Sequence, residues 1–298
     1  MDDRPAPTDA GWVVAANASA GSVDEVLGQV LAPLAADAPT RVRWMEEPGD
    51  VVDIARAHPE ERLVVVGGDG TISAAIDQLI SADLGDRPVG VLPGGTGNDF
   101  VRGLGLPVDA AEAAAQLADC RPRRLSALRV DDRWGVNTCH VGLGAAAART
   151  ASGLKARLGP AAYPVGATVS GLRRPAWDAR VTADGDCLAD GELLMAAVVL
   201  GRTIGGGTDL APEPSLTEPE ADLLLSTGAS PSDRVRLGAA LLRDDPGRGG
   251  GATRSPARRV RIECATGIPV NLDGEDLGDR RDLSVEVVPE AWTVLAPS

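Results

Sequence analysis

Two glycine-rich segments carry the residue types that bind a polyphosphate and its metal ion. The first, Gly67 to Thr71, reads Gly-Gly-Asp-Gly-Thr and follows the apolar run Leu63 to Val66. The second, Gly94 to Asp99, reads Gly-Gly-Thr-Gly-Asn-Asp and also follows an apolar run. Glycine lets backbone N–H groups approach phosphate oxygens, and carboxylates are ligands of Mg²⁺. One such segment is compatible with a tight turn, but two on neighbouring strands of one sheet would face a common crevice.

A third segment of small residues lies nearer the start of the chain. Asn17 to Gly21 follows the apolar run Trp12 to Ala16, and Ser22 and Glu25 have the spacing of a helix capping box. A strand, a small-residue loop and a helix N-terminus together form a phosphate site, because the first N–H groups of the helix are unpaired. The alternative is an ordinary strand-to-helix turn, which this loop alone favours.

Two carboxylates near the other end of the chain could act on the proton of a hydroxyl. Asp273 and Glu275 flank Gly274, directly after the strand-like run Val270 to Leu272. One carboxylate would accept the proton while the other orients the reactants, a division of labour that suits phosphoryl transfer. Asp-Gly is also a common hairpin turn, and the pair by itself is more typical of such a turn.

Alternating strands and helices must position the first three segments. This βαβ alternation predicts an α/β domain with a doubly wound parallel sheet and a ligand at the carboxyl ends of its strands. The predicted strands are Trp12 to Ala16, Arg41 to Met45, Arg62 to Val66 and Val89 to Leu92.

The pattern changes after Arg121 to one that predicts a mostly antiparallel, β-sandwich-like domain. Trp134 to Val141 is predicted as a single strand, and Asp184-Gly185 and Asp190-Gly191 as hairpin turns. We place a nucleotide-binding domain at 11–122 and a β-rich domain at 123–298, whose last strand could return to the first domain.

The composition excludes several classes of function. The 298 residues carry a net charge of −14, which argues against nucleic acid as the main partner. The four cysteines lie far apart, so neither a CxxC zinc site nor a disulfide framework is expected. The N-terminus has no apolar leader, and the longest apolar run, Leu193 to Leu200, is too short to span a membrane. We therefore expect a cytoplasmic protein without a transmembrane segment.

Five motifs of the sequence resemble those of the diacylglycerol kinase catalytic-domain family and its bacterial lipid kinase relatives. They occur in the family's order, which is far more specific than any one alone, and the likeness extends from about residue 11 to 297. The five are Asn17 to Gly21 (with Ala18 where the family has proline), Gly67 to Thr71, Leu92 to Phe100, Gly205 to Pro212, and the Asp-Gly-Glu of Asp273 to Glu275.

The resemblance implies an ATP- and Mg²⁺-dependent lipid kinase of two domains that docks transiently on a membrane. It would transfer the γ-phosphate of ATP to a lipid hydroxyl, above all that of diacylglycerol to give phosphatidic acid. The implied catalytic residues are Glu275 (favoured as the base), Asp273 and Asp69, and the second domain would hold the lipid. The implied nucleotide-binding residues are Asn17, Ser19, Gly21, Gly67, Gly68, Asp69, Gly70, Thr71, Gly95, Thr96, Asn98 and Asp99; the implied metal ligands are Asp69 and Asp99, with Glu218 for a structural ion.

Some positions depart from the family pattern and keep alternatives open. Ser73-Ala74 stand where relatives have Asn-Glu, Met45 where many have threonine, and Pro219 replaces a glycine of the structural metal loop. NAD kinases and 6-phosphofructokinases share the fold and the first glycine loop. The alternatives are therefore a kinase acting on a sphingoid lipid or NAD, or a regulator that binds nucleotide or lipid without catalysis. The sequence names neither the lipid nor the oligomeric state, and a homodimer is compatible with it.

Overall fold

The computed structural model of the chain describes most of its residues and divides it into two compact units. Unit 1 comprises Met1–Leu125 and Glu290–Ser298, and unit 2 comprises Ser126–Pro289. The chain therefore leaves unit 1, forms unit 2 and returns. The described residues are 10–18, 23–149, 176–201, 203–204, 208–209, 216–228, 230, 232–234, 237 and 252–297.

Unit 1 is built on a parallel sheet, as the sequence predicts. Its strands lie in the order β2, β1, β3, β4, and the end of the last strand of the chain pairs with β4 in parallel through Val294 and Val89. The apolar residues of β3 are all buried, which is typical of a parallel strand covered on both faces. The bounds are β1 Trp12–Asn17, β2 Thr40–Met45, β3 Arg62–Gly67 and β4 Val89–Pro93.

In the described part of unit 1, five helices connect and flank these strands. Helix α1 contacts α5, and α2 contacts α3. Strand β2 lies on one side of β1, and β3 and β4 lie on the other, so the order in which strands are added changes direction between β1 and β3. Doubly wound sheets bind their ligands at such a point. The bounds are α1 Val23–Asp37, α2 Asp50–Ala57, α3 Asp69–Ser81, α4 Asp99–Gly103 and α5 Ala110–Leu117. None of the helices that the structure describes has both the length and the apolar character needed to cross a bilayer.

Unit 2 is mostly antiparallel, as the sequence also predicts. Its central strands lie in the order β13, β12, β9, β7, β14, β15; β8 pairs with β9 and β14, β5 pairs with β15 and β6, and β10 pairs with β11. The bounds are β5 Arg121–Val130, β6 Arg133–Gly135, β7 Thr138–Gly142, β8 Trp177–Ala183, β9 Asp186–Val199, β10 Thr203–Ile204, β11 Thr208–Asp209, β12 Ala221–Thr227, β13 Thr253–Ala257, β14 Arg259–Leu272 and β15 Glu275–Ala296.

Two local predictions for unit 2 are wrong. The segment Trp134 to Val141 is not one strand, since β6 ends at Gly135 and β7 begins at Thr138. The backbone N–H groups of the two residues between them, Val136 and Asn137, donate to the carboxylate of Asp273. Asp190-Gly191 is not a turn. It lies inside β9, where Gly191 has a φ of 132° and pairs with Ala179 of β8.

Candidate active site

The two glycine-rich segments of unit 1 lie backbone against backbone. The N–H of Gly94 donates to the carbonyl oxygen of Gly67 at 2.9 Å. A Cβ placed on Gly95 would lie 2.7 Å from the Cα of Gly68, closer than real side chains come. Only glycine at these positions allows the approach. The carboxyl ends of β3 and β4 therefore present one continuous surface of backbone groups.

Two side chains fix the shape of this surface. Asp69, the first residue of α3, accepts a hydrogen bond from the backbone N–H of Phe100 at 2.9 Å through Oδ1. Asn98 has a φ of 53°, a left-handed conformation that asparagine tolerates better than most residues. Its amide donates to the carbonyl oxygen of Gly95 at 2.9 Å, and its Oδ1 accepts from the N–H of the same residue at 3.0 Å. Asp69 thus links the first glycine-rich segment to the second by a hydrogen bond, and Asn98 stabilises the turn of the second segment by bonding to Gly95 within it.

The end of β1 lies beside the first segment. The side-chain amide of Asn17 donates to Oγ1 of Thr71 at 3.3 Å. Thr71 does not cap α3; the N-cap position is Gly68, which offers no side chain. The N-terminus of α3 has a positive dipole end, next to the exposed Gly70 and on the same sheet edge as the exposed Thr96. The other predicted residues of the β1 segment, Ser19 and Gly21, lie outside the described residues, as do Gly205 to Gly207 of the fourth motif.

The two predicted metal ligands differ in their surroundings. Asp99 is 6% exposed and forms an ion pair with Arg102 at 3.0 Å, so its charge is already compensated. Asp69 uses Oδ1 for Phe100, and its Oδ2 has no partner among the described residues. In the described part of the chain, no three His, Cys, Asp or Glu side chains gather to hold a metal ion. Asp69 therefore fits an Mg²⁺ that arrives on nucleotide phosphates, which needs only one or two protein carboxylates.

The surroundings of Glu218 give no support to a structural ion. Glu218 is exposed, and its backbone oxygen accepts from Oγ of Ser126 at 2.7 Å. The acidic residues beside it are engaged elsewhere. Glu220 pairs with Arg258 at 3.1 Å, and Asp222 pairs with Arg254 at 2.8 Å. An ion at Glu218 forms no part of the function proposed below.

In unit 2, a two-residue turn joins β14 to β15. Asp273 and Gly274 have φ values of 48° and 95°, and positive φ at both positions is what a type I′ hairpin turn requires. The carboxylate of Asp273 accepts the backbone N–H groups of Val136 at 2.6 Å, Asn137 at 3.1 Å and Thr138 at 2.6 Å. It holds the connection between β6 and β7 against the turn.

Glu275, the first residue after this turn, has a different environment. Its side chain is 53% exposed and is held by both terminal nitrogens of the Arg133 guanidinium, at 3.0 and 2.6 Å. The next carboxylate, Asp276, is bound instead by Arg149 at 2.6 and 2.7 Å, and these hydrogen bonds lower the pKa of Asp276. Sequence reasoning missed Arg133, because 142 residues separate it from Glu275 and no local pattern links the two.

Comparison with known proteins matches two consecutive parts of the chain to two family models. Residues 11–130 match the model of the diacylglycerol kinase catalytic domain. Residues 137–296 match that of the YegS C-terminal NAD kinase beta sandwich-like domain. A probable lipid kinase YegS-like of Pseudomonas aeruginosa strain PAO1 is 33% identical over 283 residues, covering 92% of this chain and 90% of that protein. The diacylglycerol kinase of Bacillus subtilis strain 168 is 32% identical over 217 residues, covering 72% of this chain and 70% of that protein.

A solved structure shows the same fold over nearly the whole chain. The crystal structure of a putative diacylglycerol kinase from Bacillus anthracis strain Sterne superposes with a TM-score of 0.79 and 21% sequence identity, covering 96% of this chain and 97% of that one. The similarity extends through both domains. The chain therefore belongs to the diacylglycerol kinase family of lipid kinases, with a catalytic domain followed by a YegS-type C-terminal domain.

Proposed function

We propose that the protein transfers the γ-phosphate of ATP to the hydroxyl of a membrane lipid, with diacylglycerol as the acceptor and phosphatidic acid as the product. The observation that carries the proposal is the close backbone contact of the two glycine-rich segments, bridged by the hydrogen bond from Phe100 to Asp69. This surface lies beside the point where the strand order reverses. The kinase family supports ATP as the co-substrate.

Unit 1 supplies the groups that hold the phosphates. Backbone N–H groups of the glycine-rich segments and of the α3 N-terminus donate to phosphate oxygens, and Asn17 and Thr71 stand at the same edge. Oδ2 of Asp69, which has no partner among the described residues, would hold the Mg²⁺ that accompanies the nucleotide, and such an ion would supply charge neutralisation at the transferring phosphate. The arrangement is preorganised, because the glycine contacts and the two hydrogen bonds between Asn98 and Gly95 fix the loops before a ligand binds.

Unit 2 supplies the proton acceptor. Glu275 takes the proton of the lipid hydroxyl; the oxygen then forms a bond to the γ-phosphorus while the bond to the β-phosphate oxygen breaks and ADP leaves. Arg133 orients the Glu275 carboxylate through its two hydrogen bonds. We assign Asp273 the supporting role, since three backbone N–H groups already occupy its oxygens.

Transfer from labelled ATP to a panel of acceptors tests the proposal. The panel contains diacylglycerol and sphingosine in mixed micelles, and NAD and fructose 6-phosphate in solution, each with Mg²⁺. We expect label in the diacylglycerol product and none with Asp69→Asn. Label in sphingosine alone would show that the acceptor is a sphingoid lipid and not diacylglycerol. Label only in a soluble acceptor would refute the proposal that the protein is a lipid kinase. ATP binding without transfer to any acceptor would indicate a regulator instead.

A membrane lipid as acceptor also requires that the protein reach a membrane surface. We propose transient docking, since the described helices contain no membrane-spanning candidate. Sedimentation with vesicles that contain diacylglycerol measures this association, and equal sedimentation with vesicles that lack it would mean that the acceptor does not drive docking.

A further inference from the structure

The hairpin of β14 and β15 contains a β-bulge close to its turn. Val270 pairs with Gly278, whereas Asn271 pairs with Asp276, so Leu277 is an extra residue of β15 in this interval. Gly278 has a φ of 79°, and its N–H donates to Oδ1 of Asp276 at 2.9 Å. Bulges bend a strand, re-aim its side chains and are frequent next to active sites. This bulge directly follows the residue pair that begins β15.

The bulge brings two carboxylates to one face of the sheet. Neighbouring residues of a regular strand point to opposite faces, so Asp276 and Asp279, which are three apart, would normally face away from each other. The extra residue Leu277 changes this, because Asp276 pairs with Asn271 and Asp279 pairs with Pro269. Those two partners are two apart on β14 and share a face. The two carboxylates therefore come within reach of one side chain.

One arginine binds both of them. Nε and Nη2 of Arg149 donate to the two oxygens of Asp276 at 2.6 and 2.7 Å, and Nη1 donates to Oδ1 of Asp279 at 3.1 Å. These hydrogen bonds raise the pKa of Arg149 and lower that of Asp276, so the pair is charged at neutral pH. The guanidinium thus spans the bulge.

This arginine approaches the hairpin from the face opposite to the proposed base. It belongs to a helical segment, residues 143–149, that follows β7. A Cβ added to Gly144 of this segment would lie 3.1 Å from Cδ2 of His140, so the segment packs on the face that carries the imidazole. By strand register, Asp276 shares that face and Glu275 lies on the other. The first two residues of β15 are therefore held from opposite faces, each by its own arginine.

Without the bulge, the end of the hairpin would have another register. The regular pairing beyond the bulge, continued towards the turn, would place Asp276 opposite Leu272 and leave Glu275 inside a three-residue turn. Asp276 and Asp279 would then point to opposite faces, out of reach of a single guanidinium. Arg149 binds both carboxylates only in the bulged register, and it stabilises that register by the difference.

We propose that Arg149 selects the register in which Glu275 lies beside Arg133, and that it is thereby a positioning residue for the base. A slip of one residue moves the side chains of a strand to the other face. Here it would carry Glu275 away from Arg133 and present Asp276, whose side chain is one methylene shorter, in its place. This inference rests on the proposed function, in which Glu275 is the proton acceptor.

Steady-state kinetics of Arg149→Met measure the effect. The variant keeps an apolar side chain of similar length but binds neither carboxylate. We expect kcat with diacylglycerol to fall by about three- to tenfold, since the contribution of partly exposed ion pairs is modest. The KM values for ATP and for the lipid should stay the same, because the variant changes the fraction of molecules with the base in place.

A second ion pair of the same hairpin supplies a matched control. Arg261 binds both oxygens of Asp282, at 2.9 and 2.6 Å, in a part of the hairpin that has regular pairing. Arg261→Met removes an equally exposed pair and should leave kcat within about twofold of wild type. Equal losses of kcat in the two arginine variants would overturn the inference.

Deletion of Leu277 separates positioning from a general structural role. The deletion removes the extra residue, so regular pairing would keep Glu275 opposite Leu272 without help from an arginine. Arg149→Met should therefore lower kcat in the complete chain and leave it unchanged in the deletion background. The same proportional loss in both backgrounds would contradict the proposed role, because a purely structural contact is not made dispensable by a change of register.

Backbone NMR reports the register without any reference to activity, and it does not require the deletion to fold. Cross-strand nuclear Overhauser effects should join Asn271 to Asp276 in the wild-type protein and in Arg261→Met. In Arg149→Met a second set should join Asn271 to Leu277. If no lipid accepts phosphate but this second set appears, the transfer proposal fails and the control of the register by Arg149 stands. The wild-type pairing alone in Arg149→Met would overturn the inference whatever the activity.

Discussion

Two Asp-Gly turns of unit 2 have the same geometry and different surroundings. Asp184-Gly185 joins β8 to β9 with φ values of 51° and 97°, and Asp273-Gly274 joins β14 to β15 with 48° and 95°. In both turns the aspartate accepts backbone N–H groups from a distant segment. Asp184 accepts those of Arg258 and Arg259 at 3.1 and 2.9 Å, as Asp273 accepts those between β6 and β7. The aspartate of such a turn is therefore a structural acceptor in either place.

The residue that follows each turn is where the two differ. Asp186 and Glu275 occupy equivalent positions, opposite Ala183 and Leu272 in their hairpins. Glu275 is held by both terminal nitrogens of the Arg133 guanidinium, whereas Asp186 is exposed. The comparison shows that the Asp-Gly dipeptide forms the turn in both places, and that the residue to which we assign the chemistry, Glu275, is distinguished by its contact with Arg133.

The largest effect should come from Glu275→Gln. Glutamine keeps the size and can still bond Arg133, but it cannot take up a proton. We expect kcat with diacylglycerol to fall by about 10²–10⁴-fold, the usual contribution of a general base. The affinity for ATP, measured by calorimetry, should not change, because the proposed nucleotide site lies in unit 1.

Asp186→Asn is the matched control for this variant. It removes the carboxylate after the other turn and should leave kcat within about twofold of wild type, as exposed substitutions usually do. Near-normal turnover of Glu275→Gln would show that the base assignment is wrong.

The second effect concerns the two turn aspartates. Asparagine tolerates the left-handed backbone, but its NH₂ group would face a backbone donor where a carboxylate oxygen now accepts one. Asp273→Asn and Asp184→Asn should each destabilise unit 2 by about 1–3 kcal/mol in denaturant unfolding. Transfer at a temperature where both are folded should fall only for Asp273→Asn, since its turn carries Glu275. Equal activity of the two variants would mean that Asp273 does not position the base.

The third effect concerns the pH dependence of stability and comes from His140 on β7, the strand beside the Asp273 turn. Burial lowers the pKa of His140 from 6.5 to about 4, so between these values the unfolded chain binds a proton that the folded chain does not. Stability from this group is complete above about pH 6.5 and is lost as the pH falls towards about 4. At about pH 5 the loss should be about 2 kcal/mol relative to neutral pH.

Denaturant unfolding of the wild-type protein and His140→Leu at a series of pH values measures this loss. The difference in unfolding free energy between the two should be flat above about pH 7 and should fall below it. His58→Gln should show the wild-type pH dependence. A constant difference across the series would mean that His140 has the same pKa in the folded and the unfolded protein.

The sequence predicts the scaffold better than it predicts the partners of the site residues. Apolar runs that stop at glycines identify β3 and β4, and one that stops at a small-residue loop identifies β1, because strand period and turn chemistry are local properties. The Asp-Gly-Glu motif locates the turn. Arg133 leaves no such signal, since its contact with Glu275 joins residues 142 positions apart.

The wrong prediction for Trp134 to Val141 has the same origin. The run is apolar enough for one strand, but the Asp273 carboxylate draws two of its N–H groups out of the ladder. A contact between distant segments decides the structure there, and a local pattern contains no information about it. The lack of a hydrogen-bond partner for the His140 ring among the described residues is likewise visible only when its strand neighbours on both sides are known.

The smallest effect should come from the two turn glycines, and it isolates the backbone. A Cβ on Gly274 or Gly185 would meet no atom within 4 Å, so alanine there is disfavoured only by its φ of 95° or 97°. Each alanine variant should therefore destabilise unit 2 by about 1 kcal/mol and lower its melting temperature by about 2–4 °C. Because relaxation of the turn moves the first residue of β15, Gly274→Ala should also lower kcat by about two- to tenfold. Gly185→Ala relaxes an equivalent turn that carries no catalytic residue, and its kcat should equal that of the wild-type protein. If both variants lowered kcat to the same extent, loss of stability alone would explain the effect, and the different roles assigned to the two turns would have to be given up.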